Sequence, residues 1–216
     1  IGDAAVVEGG NAVFTVSRTG ALNVAVSVTA TTSIETGDTA GAGDFTATSS
    51  SVDLAVGEAS ATFTVPTTAD DVDELDETFT VTLSAPTNNA TLVADPTGTG
   101  TITDDDTAGV TVSEGDGLLV VEGGAADTYT VVLDSEPTDN VVITVTPDAQ
   151  VTATPSPLTF TPANWDTAQT VSVTGVSDAV DETDPHTGTI THSVASDDLG
   201  YDGIAVAAAT ADVNDA

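Results

Sequence analysis

The sequence predicts an all-β protein built as two tandem immunoglobulin-like β-sandwiches of seven strands each. Three observations carry that prediction. The string "VVEGG" stands at Val6–Gly10 and again at Val120–Gly124, 114 residues further on. Alternating and β-branched runs recur along all 216 residues, bounded by Gly, Pro, Asp and Asn, which is the pattern of short strands joined by turns. No window of helix length carries a competing 3.6-residue period. An internal repeat of this size means tandem domains rather than a solenoid. The boundary is expected near Asp106–Gly109, giving domains 1–106 and 107–216.

In the first repeat the strands are expected at Ala4–Val7, Ala12–Arg18, Asn23–Ala30, Ser51–Val56, Ser60–Val65, Glu77–Ser84 and Gly98–Thr103. Most place apolar residues at every second position, as in Ala12, Phe14 and Val16 or Phe79, Val81 and Leu83. In the second repeat they are expected at Leu118–Val121, Asp127–Leu133, Asn140–Thr146, Leu158–Thr161, Gln169–Thr174, Gly188–Val194 and Ile204–Asp212. Seven short strands in about 105 residues suit an immunoglobulin-like sandwich. Gly9-Gly10 and Gly123-Gly124 read as strand turns that need a positive φ, not as phosphate loops.

Composition narrows the function. Hydrophobic residues make up 39% of the chain, enough for a core, so this is not an acidic disordered tail. The formal charge is −34, with Arg18 the single basic residue against 35 acids. Such a field makes nucleic acid and anionic membrane improbable partners and favours cations. The chain has no Cys, which rules out disulfides and thiolate metal sites. No run of 18 apolar residues is present to insert into a membrane as a helix. The chain starts at Ile1 and reads as a piece of a longer protein.

The acids are not spread evenly. Six of the eight residues from Asp70 to Glu77 are acidic. Sequential strands of a sandwich mostly alternate in direction. The connections after the first, third and fifth strands then share one end with the close of the seventh. In the first repeat those segments hold Glu8; Glu35, Asp38 and Asp44; the Asp70–Glu77 run; and Asp104, Asp105 and Asp106. Two carboxylates about 4 Å apart repel by roughly 4 kcal/mol at an effective dielectric near 20. Several such pairs rival a domain's whole stability of about 5–15 kcal/mol. One Arg cannot relieve this, so either the loops splay into water or bound cations hold them. Only oxygen ligands are offered in number. Many carboxylates on flexible loops suit Ca2+, which accepts six to eight oxygens in loose geometry, better than Mg2+ with its strict octahedron. The run is not an EF-hand, because it lacks the turning Gly and leads into a strand.

"VVEGG", "AGDF" (Ala42–Phe45), "DDVDELDETFTVTLS" (Asp70–Ser84) and "TITDDDTAGV" (Thr101–Val110), in that order, resemble the Calx-beta domain family. These are calcium-binding modules of sodium–calcium exchangers, integrin β4 and many bacterial surface proteins. Residue by residue, the resemblance implies calcium ligands at Glu8, Asp44, Asp70, Asp71, Glu74, Glu77, Asp104, Asp105 and Asp106, with Val72 offering its backbone carbonyl. Ala69 departs from the pattern, since calcium-sensing members often carry another Asp there. The second repeat resembles the family less closely. It keeps Glu122, reads "SDAVDETDP" at Ser177–Pro185 without paired Asp, and ends in Asp212, Asn214 and Asp215. Its implied ligands are Glu122, Asp178, Asp181 and Asp215. The segment "LTFTPANWDTAQTVSV" (Leu158–Val173) resembles repeats of large bacterial adhesins.

Other motifs read as structure. Trp165 and Tyr201 are expected to pack in the core or against a loop rather than stack on sugar. His186 and His192 have no partner His or Cys near them in the sequence and are not read as metal ligands or bases. The expected function is therefore non-catalytic: a calcium-binding structural or adhesive repeat of a larger secreted or cell-surface protein. Calcium would rigidify its loops and the junction to the next domain. Expected partners are calcium ions, neighbouring repeats of the same chain and a cell-surface or matrix ligand. The alternatives are a regulatory calcium sensor of a transporter or enzyme, and a carbohydrate-binding module, which 4% aromatic residues support poorly.

Overall fold

The computed structural model describes residues 1–180 and 182–216. Among the described residues the elements are all strands, and no helix is long and apolar enough to cross a membrane. The chain divides into two compact units, the first comprising Ile1–Asp70 and Glu74–Asp105, the second Asp71–Asp73 and Asp106–Ala216.

The first unit contains β1 (Ala4–Val7), β2 (Asn11–Ser17), β3 (Val26–Ser33), β4 (Ser49–Leu54), β5 (Ser60–Pro66), β6 (Glu77–Ser84) and β7 (Thr97–Thr103). One sheet has the order β1-β7-β6-β3-β4, and β2 pairs with β5 in a second. The alternation read from the sequence becomes the burial pattern: Phe14 and Val16 of β2, Phe63 and Val65 of β5, and Phe79 and Val81 of β6 lie in one core. The Phe14 and Phe79 rings meet edge-on at 5.8 Å, joining the two sheets. Gly100 faces Phe79 across the β6–β7 ladder, and a Cβ there would overlap the Phe79 ring.

The second unit contains β8 (Val110–Ser113), β9 (Leu118–Val121), β10 (Asp127–Leu133), β11 (Val141–Pro147), β12 (Val151–Thr154), β13 (Leu158–Phe160), β14 (Gln169–Gly175), β15 (His186–Ser196) and β16 (Ala209–Asn214). Its sheets run β12-β14-β10-β8 and β13-β11-β15-β16-β9. Their core holds Tyr129, Val131, Ile143, Phe160, Val171, Ile190 and Val213. Trp165 packs against this core, and Tyr201 is buried in it with its hydroxyl donating to the Ser135 carbonyl at 2.8 Å. Two short strands, β8 and β12, extend one sheet beyond the seven expected.

Strand ends move where side chains replace ladder bonds. Asn23–Ala30 was the expected third strand, but β3 starts at Val26. The Arg18 guanidinium takes the Val24 carbonyl and the Asn88 amide takes that of Ala25 at 2.8 Å, so this backbone is satisfied outside a sheet. Ile204–Asp212 shortens at its start to β16, because Ile204 closes a turn onto Tyr201 and the Ala207 carbonyl is engaged by His192. β15 starts at His186, two residues before the expected Gly188, and pairs His186 with Val213.

Candidate metal centre

Strand register and a few loop hydrogen bonds gather the acids of the first unit. β1 runs parallel to β7, with Val7 opposite Thr103, so both strands finish at the same end. β6 is antiparallel to β7 and brings Glu77 opposite Ile102. β2 and β5 pair Asn11 with Pro66, which sets the β1–β2 turn beside the start of the β5–β6 loop. That turn is tight: Gly10 N donates to Val7 O at 3.1 Å and Gly9 holds a φ of 70°. The β3–β4 loop is stitched on by Thr68, whose N–H donates to Asp44 O at 2.9 Å and whose hydroxyl donates to Gly43 O at 2.6 Å.

These supports place the carboxylates. Glu8 N extends the ladder to Thr103 O at 3.0 Å, and Glu8 Oε1 accepts a long hydrogen bond from Asp70 N at 3.4 Å. Glu8 and Asp104 bring carboxylate oxygens to within 4.8 Å of each other. Asp104 Oδ1 is buried there without a hydrogen-bond partner. Asp104 N reaches Asp76 Oδ1 at 3.4 Å, and Asp44 Oδ2 accepts from Gly41 N.

The electrostatics match the crowding. Burial raises the Glu74 carboxyl above its usual range although much of the side chain is exposed, and Asp70, Asp44 and Asp104 raise it further. Glu77 is pushed up to about 7 by burial, by a side-chain hydrogen bond with Asp44 and by the charges of Asp44, Glu74 and Asp70. A carboxyl that keeps its proton near neutrality marks a place where negative charge lacks compensation. Arg18 does not supply it. It leaves the far end of β2 and donates to the carbonyls of Glu58, Val24 and Ala55 at 2.7, 2.5 and 2.7 Å.

Of the residues singled out from the sequence, Glu8, Asp44, Asp70, Glu74, Glu77 and Asp104 thus share one end of β1, β6 and β7. Asp105 is exposed. Asp71, Val72 and Asp106 group with the second unit.

The second unit repeats the register with different side chains. β9 is parallel to β16, with Val121 opposite Asn214, and Glu122 bridges to Gly175 at the end of β14. Glu122 and Asp215 therefore stand at the same end of this sheet, with Glu122 N donating to Asn214 O at 2.9 Å. Asp178 stands on the adjoining loop, its N–H donating to Glu122 Oε2 at 3.3 Å. Asp181 lies outside the described residues. Among the described residues, Glu182, Asp184 and His186 join this cluster. His186 has no His or Cys near it in the sequence. Its neighbours reach it through topology, since the turn after β9 and the end of β16 carry Glu122 and Asp215 to the start of β15.

Residues 4–116 match the Calx-beta domain model. The chain belongs to the Calx-beta domain family. Calx-beta domains are calcium-binding, non-enzymatic modules. Among solved structures, the calcium binding domain CBD12 of CALX1.1 is similar over 97% of this chain and 96% of its own, at a TM-score of 0.51 and 18% identity. That likeness shows the fold. CBD12 from CALX1.2 matches 91% of this chain and 80% of its own at 0.46 and 19% identity. The apo-form Calx CBD1 domain matches 49% of this chain and 91% of its own at 0.44 and 26% identity. No curated protein matches the chain.

Proposed function

We propose that the first unit binds calcium through Glu8, Asp44, Asp70, Glu74, Glu77 and Asp104, with the exposed Asp105 beside them. In this reading the chain is a structural or adhesive module of a larger secreted or cell-surface protein. The observation that carries the proposal is the buried Asp104 Oδ1, which has no hydrogen-bond partner and stands among the charges that push the Glu74 carboxyl up. A buried charge without a partner is costly, and the donors here are hard oxygens only, which suits calcium. The carboxylates come from the β1–β2 turn, the β3–β4 loop, the β5–β6 loop, the first residue of β6 and the segment after β7. An ion held by all of them would tie these loops to one another and stabilise the folded state by mass action.

The secreted or surface setting rests on the composition, since one base among 35 acids suits a saline exterior. For such a module dissociation constants of roughly 10⁻⁴–10⁻³ M are expected. Calorimetric titration of the metal-stripped chain with calcium tests the reading. Glu74→Gln and Asp104→Asn should each weaken binding about tenfold or more while the strand signature of the circular dichroism spectrum persists. Undiminished affinity in a folded Asp104→Asn variant would remove Asp104 from the site. Binding in the submicromolar range would favour a regulatory sensor instead.

A further inference from the structure

The cluster in the second unit has a chemistry of its own. Each of three carboxylates has one oxygen engaged. Glu122 Oε2 accepts from Asp178 N at 3.3 Å, Glu182 Oε1 from Gln150 Nε2 at 2.9 Å, and Asp215 Oδ2 from Glu182 N at 2.9 Å. The other oxygen of each, Glu122 Oε1, Glu182 Oε2 and Asp215 Oδ1, is buried with no hydrogen-bond partner. Both ring nitrogens of His186 are buried and unpartnered as well. Glu122 is only 6% exposed.

Ligand atoms of Glu122, Glu182 and His186 lie within 4.8 Å of one another, and so do those of Asp184, His186 and Asp215. His186 Nε2 stands 3.7 Å from Glu182 Oε2, too far for a hydrogen bond. Two ligand atoms on one cation with bonds of about 2.0–2.1 Å are separated by roughly 3.3 Å, so the spacing is near that of a shared ion. A bare ion pair with Glu182 is the competing account, but at 3.7 Å it leaves both ring nitrogens without a hydrogen bond. His192 shows what a satisfied imidazole looks like in this fold: its Nε2 meets the Tyr129 hydroxyl at 2.8 Å and its Nδ1 the Ala207 carbonyl at 2.8 Å.

We infer that Glu122, Glu182 and His186 form a site for a divalent transition-series cation of the zinc class, with Asp215 and Asp184 flanking the imidazole. The pinned oxygens are the outer contacts that orient metal ligands. An imidazole among carboxylates suits zinc and its neighbours, whereas calcium takes oxygen. This site is separate from the proposed calcium centre, so either can fail without the other.

The probe is zinc chloride, titrated into the metal-stripped full chain in excess calcium, which saturates oxygen-only sites. One zinc per chain is expected, with His186→Gln and Glu122→Gln each weakening it by at least about 100-fold, as loss of a direct ligand should exceed the 10–100-fold typical of an outer contact. Glu74→Gln should leave zinc binding unchanged. Because a variant can misfold, the imidazole resonances of the wild-type chain provide the second reading. Zinc should move those of His186 and not those of His192. Absence of zinc binding in calcium, unchanged binding by His186→Gln, or unmoved His186 resonances with zinc bound would each overturn the inference.

Discussion

Glu77 carries the most direct consequence at the scale of single residues. Its carboxyl titrates at about 7 in the folded chain and near 4.5 when free of the fold. Between those values the folded state binds the extra proton, so stability of the metal-free chain should fall as pH rises through that window. Thermal melts of the metal-stripped protein between about pH 5 and pH 8 check the sign. Saturating calcium should flatten or reverse the slope, because ligand carboxylates must be deprotonated and binding releases the proton. A metal-free melting temperature that climbs over this range would mean that Glu77 is not held protonated by its neighbours. The residues behind this effect were legible in the sequence as an acidic run. Their individual surroundings were not, since the Asp44 contact depends on Thr68 fastening one loop to another.

At the scale of elements, Arg18 decides more than its one charge suggests. Its guanidinium spans the carbonyls of Val24, Ala55 and Glu58 and closes the end of the first sandwich remote from the acids. Arg18→Ala should destabilise the unit by about 1 kcal/mol, the net worth of hydrogen bonds whose carbonyls can turn to water. Calcium affinity should not change, as chemical denaturation and calorimetry on the same variant would show. The same residue explains why the sequence misplaced β3: Val24 and Val26 alternate well enough for a strand, yet their carbonyls are split between a side chain and a ladder. Strands with strong alternation, such as β2, β6, β9 and β10, were readable because one buried face fixes both type and register. β8 and β12 are four residues each and take their identity from β10 and β14. The His186 cluster was hidden for a related reason, because its members meet only after β9, β15 and β16 have paired.

At the scale of the whole molecule, a charge of −34 acts on every melt. Added sodium chloride should raise the melting temperature by screening this repulsion and should weaken calcium binding, without a saturable heat of its own. A salt series compared with calcium at constant ionic strength separates the general field from the specific centre. The measurement that tests the central claim most directly is calorimetric titration of the metal-stripped chain with calcium, against magnesium in the same salt, with thermal melts alongside. A saturable calcium heat, a melt raised well beyond that in magnesium, and loss of both in Asp104→Asn are the expected results. No calcium heat and equal melts in the two ions would contradict the account and leave the acidic end of the first unit a solvated surface.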